Sequence, residues 1–161
     1  MKSWPSKYSS NDCVETPLEL ARALVEHFHP NGVVLEPCSG EGNFLKFLPG
    51  ALWCEIKRGR NFFDFDKHVN YIFTNPPFSE FGKFLEHSLK VSDNICFLMS
   101  VSRLWTKSRI RLIEKNNFGI REILLFNGPR DFDVFGFQLG MIWLKRDYVG
   151  EIRLSHLKEY D

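Results

Sequence analysis

Four consecutive residues, Asn75-Pro76-Pro77-Phe78, are those whose types most directly suggest chemistry. They follow an apolar run, Tyr71-Ile72-Phe73-Thr74, that reads as a buried strand. Neither proline has an N–H to donate, so a sheet ladder stops there. The Asn side chain and the Pro76 carbonyl are then left pointing out of the strand end. Two acceptors followed by an aromatic face make a receptor for a flat ring bearing an amino group. An ordinary proline turn after a strand is the competing reading of the same tetrapeptide.

A second segment bears on that choice. Val33-Val34-Leu35-Glu36 reads as a strand, Pro37-Cys38-Ser39-Gly40-Glu41-Gly42 as a glycine loop, and 43–48 as a helix start. Such a strand, loop and helix let backbone approach a nucleoside-type ligand closely. A dinucleotide fingerprint needs a third glycine, and position 45 is Leu. Glu36 at the loop start disfavours phosphate and suits a cationic amine.

Together, Glu36-Pro37-Cys38-Ser39-Gly40-Glu41-Gly42 and Asn75-Pro76-Pro77-Phe78 resemble the class I S-adenosylmethionine-dependent N6-adenine methyltransferases. The resemblance implies S-adenosyl-L-methionine as cofactor, with Glu36, Pro37, Ser39, Gly40 and Gly42 around its methionine end. It implies that Asn75, Pro76, Pro77 and Phe78 receive the amine to be methylated. Glu15-Thr16-Pro17, opening an amphipathic segment, resembles the family's N-terminal cofactor motif, through Thr16 and Pro17. Glu55 resembles the acid that holds the ribose hydroxyls. Asn61-Phe62-Phe63 resembles the segment that reads the cofactor adenine, with Asp64 competing with Asn61 for its amine.

The elements that must position these groups follow from periodicity. At 161 residues with 43% hydrophobic content, a single domain over 1–161 with a real core is expected. Thr16 to Phe28 reads as a helix capped by Thr16. Strands are expected near 33–36, 51–55, 70–74, 94–100, 121–126 and 138–145, and helices near 43–48, 79–91 and 106–117. This alternation predicts an α/β fold, a Rossmann-like, mostly parallel twisted sheet with helices on both faces. The last two strands lack a helix between them and should form an antiparallel hairpin.

Two features depart from the family pattern. Residues 56–60 are all that separates Glu55 from Asn61, whereas a parallel crossover takes about a dozen. The third strand and its helix are therefore expected to be reduced to a loop over the cofactor site, with Phe62 or Phe63 against an adenine. No separate target-recognition region is visible either. Recognition is then expected from short loops, from a second copy or from a protein partner. The stretch 128–136, with Phe132 and Phe135, is the internal candidate.

Charge and composition bound the rest. The net charge of +1 excludes a chain that is basic overall. Lys57, Arg58 and Arg60, and then Arg103, Lys107, Arg109 and Arg111, nevertheless fall after strands, where a nucleic-acid backbone would lie. Solvated helix surface is the alternative. Cys13, Cys38, Cys54 and Cys96 are dispersed, which fits reduced thiols and a cytoplasmic protein rather than disulfides or zinc. His27 and His29 read as surface or capping residues. No run is long enough to span a membrane and no signal core opens the chain.

The function expected from these features is methylation of adenine N6 in DNA. The same chemistry on RNA is a rival, favoured by the missing recognition region. Methylation of a protein glutamine amide is another, since an amide also presents an NH2. A non-catalytic cofactor-binding subunit is the last, and the intact Asn75–Phe78 argues against it.

Overall fold

The apolar run that ends at Asn75 is strand β3, Val69–Thr74, with only Asn70 exposed. The computed structural model describes residues 14–128 and 138–158. Around β3 lie β1 (Val34–Glu36), β2 (Leu52–Trp53), β4 (Ser92–Ser100), β5 (Phe118–Leu125), β6 (Leu139–Arg146) and β7 (Arg153–His156). They form one seven-stranded sheet in the order β2-β1-β3-β4-β6-β5-β7. The pairs β1–β2, β1–β3, β3–β4 and β5–β7 are parallel, and β6 runs antiparallel to both β4 and β5.

Helices cover both faces, as the alternating pattern predicts. Helix α1 (Leu18–Phe28) buries Leu20, Leu24 and Phe28 against Tyr71, Phe73, Cys96, Leu98 and Met141. Helices α2 (Phe81–Val91) and α3 (Lys107–Lys115) lie with the other core, which gathers Phe81, Phe84, Leu85, Leu89 and Ile113 around Ile72, Ile95, Phe97 and Met99. Successive residues of β3 and β4 therefore feed opposite cores, as a two-residue strand period requires. Burying each of the largest of these side chains stabilises the fold by about 1.5–3 kcal/mol.

Several boundaries differ from expectation. Pro17, not Thr16, occupies the cap of α1, and no side chain caps it. The helix expected over 43–48 is a single 3-10 turn, Leu45–Phe47, flanked by the buried Phe44 and Leu48. Between β2 and β3 the described chain makes 3-10 turns at Ile56–Arg58 and Phe62–Asp64 and one isolated bridge, Glu55 to Arg60, so the expected third strand is reduced to a loop. The sequence did not reveal β7, an edge strand whose side chains are mostly exposed. His27 is a structural residue, its Nε2 2.7 Å from Oε1 of the buried Glu122 on β5.

Candidate functional site

The carboxyl ends of β1, β2, β3 and β4 open on one edge of the sheet, because these four strands are parallel. β1 delivers Glu36, β2 leads to Glu55, β3 to Asn75, and β4 to the turn Val101–Leu104. Ligands of open α/β sheets bind at such an edge.

The loop 38–42 spends every backbone N–H internally. Cys38 N donates to Glu36 Oε1 (3.0 Å), Gly40 N to Glu55 Oε2 (2.9 Å) and Glu41 N to Glu15 Oε1 (2.8 Å). Ser39 N donates to the Cys54 carbonyl and Gly42 N to the Ser39 carbonyl. A phosphate cradle works by presenting free N–H groups to an anion. This loop instead presents three carboxylates, two of them deeply buried, Glu36 at 1% exposure and Glu55 at 5%. The adjoining space is lined by Val14, Glu15, Thr16, Glu36, Ser39, Gly40, Asn43 and Asn75, among others, with two acids and no base. Its electrostatics favour a cationic ligand. Ser39 Oγ, buried at its margin, has no hydrogen-bond partner among the described residues. The space amounts to about 20 Å³, because the Glu15 carboxylate lies over Gly40.

Residues 14–16 strap the two motifs together. Asn75 Nδ2 donates to the Val14 carbonyl at 2.9 Å and to Thr16 Oγ1 at 3.2 Å. Asn43 Nδ2 donates to the Thr16 carbonyl at 2.8 Å. A carbonyl can only accept, so the Asn75 amide is held with its NH2 inward and its Oδ1 outward. Among the described residues nothing donates to Asn75 Oδ1 or to the Pro76 carbonyl. Two acceptors are thereby presented at the end of β3. The half-buried Phe78 follows them, with the Arg103 guanidinium 4.8 Å from its ring centroid.

The remaining predicted residues divide. Pro37 and Pro76 are buried and stiffen their turns, while Gly42 takes φ +85°, a conformation that favours glycine. Glu55 holds Gly40 N and also Lys57 N, its carboxylate joining the loop to the turn after β2. Asn61 caps the 62–64 turn, its Oδ1 accepting from Phe63 N at 3.0 Å. Phe62 is 3% exposed, its ring packed between Phe84 and His87 of α2, with centroids 5.1 and 4.7 Å away. Phe132 and Phe135 lie outside the described residues.

Beside these residues lie others that sequence reasoning passed over, Ile56, Trp53, Phe65 and Lys67, together with some that it named. Ile56, next to Glu55, is 71% exposed. A separate cavity of about 320 Å³ opens beside β2, lined by Trp53, Cys54, Arg60, Asn61, Asp64, Phe65 and Lys67 among others. Trp53 carries the guanidinium groups of Arg58 and Arg60 at 5.8 and 4.0 Å. The Cys54 thiol is pushed above its ordinary value by burial and by Glu36, against the pull of Arg60.

No protein-family model matches the sequence, and no curated protein is significantly similar to it. Solved structures are similar in fold. One, from Listeria monocytogenes and assigned to the class I S-adenosylmethionine-dependent methyltransferases, superposes with TM-score 0.66 at 14% identity, over 96% of this chain and 69% of that one. The M protein of the type I restriction enzyme EcoKI gives 0.64 at 12% identity, over 86% of this chain and 45% of that one. A Pyrococcus horikoshii protein assigned as an RNA methyltransferase gives 0.56 at 16% identity, over 78% and 81%. The fold is the Rossmann-like methyltransferase fold. No helix of the described residues is long and apolar enough to cross a membrane.

Proposed function

We propose that this chain transfers a methyl group from S-adenosylmethionine to the N6 amine of adenine in DNA. The observation that carries the reading is the fixed amide of Asn75, whose Oδ1 faces outward beside the Pro76 carbonyl. When bound, S-adenosylmethionine supplies an electrophilic methyl group on a sulfonium. The acids around the glycine loop fit such a cation, and they would repel a nucleotide phosphate.

In this reading Glu36 and Glu15 face the methionine ammonium, and the orphaned Ser39 hydroxyl gains a partner. Thr16 and Pro17 position the strap, and Gly40 and Gly42 allow close approach. Each Glu55 oxygen already accepts one N–H and retains a lone pair for a ribose hydroxyl. Asp64, exposed near Asn61, accepts the cofactor adenine amine, since Asn61 Oδ1 is engaged in capping. Phe62 contributes through the backbone its ring anchors, and Ile56 offers an apolar face.

The N6 nitrogen of adenine is a poor nucleophile because its lone pair is delocalised into the ring. Asn75 Oδ1 and the Pro76 carbonyl each accept one of its N–H groups. This draws the nitrogen toward tetrahedral geometry and stabilises the positive charge that develops on it. Pro77 stiffens the turn, and Phe78 stacks on the extruded base, worth about 1–3 kcal/mol. Alignment supplies the remainder of the acceleration. A second copy of the chain or a protein partner supplies target recognition.

The test is methyl transfer from labelled S-adenosylmethionine to matched DNA and RNA oligonucleotides and to a glutamine peptide, followed by mass spectrometry. N6-methyladenine in the DNA is the expected product. Label in the RNA alone or the peptide alone replaces the substrate, and label in none of them refutes the activity.

A further inference from the structure

Arg103 and Arg109 stand beside the Asn75–Phe78 turn in an unusual state. Arg103 lies over the Phe78 ring and donates from Nη1 to the Phe78 carbonyl at 3.1 Å. Arg109 lies 4.7 Å from the Phe81 ring centroid and donates from Nη1 to the Arg103 carbonyl. Phe81 N donates in turn to the Phe78 carbonyl, and the Phe81 ring packs on Phe97 in the core. Two guanidinium–phenyl pairs are thus joined into one unit anchored on the sheet.

Aromatic faces and carbonyls fix these guanidinium groups without neutralising them. No acid occurs between Val101 and Ile113, while Arg103, Lys107, Arg109 and Arg111 are all cationic. Among the described residues none of the four joins an ion pair. Lys107 and Arg109 also fall in the first turn of α3, where cations oppose the helix dipole. The helix dipole alone would be better served by a carboxylate than by Lys107 at the start of α3. Like charges held close and unpaired call for an anionic partner.

We infer that Arg103 and Arg109 grip the backbone phosphates of the nucleic-acid strand that delivers the target base to Phe78. The inference rests on the methyl-transfer reading above and adds the element that identifies a polyanionic substrate. A guanidinium has five N–H donors, and Arg103 uses one of them on Phe78. The others suit the forked geometry of a phosphate. Trp105, between the two arginines in sequence and 50% exposed, offers a stacking surface for a neighbouring base. Arg103 thereby links strand binding to the placement of the Phe78 ring.

The experiment is binding of labelled DNA and RNA oligonucleotides of one sequence, by fluorescence anisotropy, from about 50 to 200 mM salt. Arg103→Gln and Arg109→Gln should each flatten the plot of log affinity against log salt by about one unit, and the double variant by about two. Arg103→Lys should restore the slope, and Lys90→Gln, at the far end of α2, should not change it. Calorimetry should find S-adenosylmethionine affinity unchanged in all of them. Wild-type slopes in the arginine variants overturn the inference, as does equal flattening by Lys90→Gln or a wild-type chain that binds neither strand. Strand binding with the expected slopes but no methyl transfer supports the grip and removes the catalytic reading instead. The DNA and RNA arms decide which strand is held.

Discussion

The Asn75 side-chain amide donates to the Val14 carbonyl, 2.9 Å away in space and 61 positions away in sequence. That bond turns a strand-end asparagine into an oriented acceptor. It also ties the Asn75–Phe78 turn to residues 14–16, whose Glu15 carboxylate accepts from the glycine loop at Glu41 N, so the two motifs are joined through one segment.

Asn75→Ala removes the outward oxygen and should lower kcat at least about 100-fold, the scale of losing a transition-state hydrogen-bond partner. S-adenosylmethionine should still bind, since the acids of the glycine loop are untouched. Single-turnover transfer and calorimetry on the same preparation check both halves. Full activity would exclude Asn75 from the chemistry.

Asn75→Asp isolates the orientation. A carboxylate cannot donate to Val14, and an unsatisfied carbonyl costs about 1–3 kcal/mol, toward the lower end here because Val14 is half-buried. Urea unfolding should show that loss, and α1 should be released earlier in hydrogen exchange as the strap loosens. Unchanged stability would mean that the strap is held by Thr16 and Asn43 alone.

Gly40 has φ +51°, and a Cβ there would meet the Glu15 carboxylate. Gly40→Ala should destabilise the fold by about 1–2 kcal/mol through the backbone conformation. It should also push Glu15 off the Glu41 amide. Because Glu15 is flexible, combining Glu15→Ala with Gly40→Ala should leave the backbone cost in place. Recovery of wild-type stability in the double variant would show that the clash, not the conformation, was the cost.

The parts of this site that the sequence revealed are those with a local physical cause. Two prolines stop a strand wherever they occur, which made Asn75–Phe78 legible. β3 and β4 are buried on both faces, so they read as apolar runs. β7 was hidden because Arg153-Leu154-Ser155-His156 face solvent, and their pairing to β5 uses backbone groups that any residue has. The burial of Phe62 was hidden for the opposite reason: the α2 rings it packs against lie far along the chain. The carboxylate bonds of Glu15 and Glu55 to loop amides span 26 and 15 residues and leave no periodic trace.

Asp93 should set part of the acid limit of stability. Partial burial pushes its carboxyl up, but hydrogen bonds and charge from His68 and Arg146 outweigh this and hold it below its ordinary value. Arg146 also donates to the Leu89 and Ser92 carbonyls, so the pair ties β6 to the end of α2. With the folded value lowered, the contribution is present above the unfolded value of about 3.9 and is lost as pH falls through the folded one. Asp93→Asn should be less stable at neutral pH and lose stability less steeply below about pH 4. Parallel urea curves for the two proteins across that range would exclude the linkage.

The cysteines offer a footprint of the space beside the glycine loop. Cys96 is buried, and burial followed by the nearby Glu122 charge pushes its thiol well above the ordinary value. Cys54 is raised chiefly by burial. The thiolate is the reactive form, so both should alkylate only through opening of the sheet. Cys38 is half-buried and lines the space with Glu36 and Ser39. Iodoacetamide at mildly alkaline pH should therefore label Cys38 at least about tenfold faster than Cys54 or Cys96, as local opening costs less than global opening. S-adenosylhomocysteine should then slow Cys38 alone. Labelling of Cys38 that is indifferent to S-adenosylhomocysteine, at concentrations where calorimetry shows binding, would place the ligand away from the glycine loop.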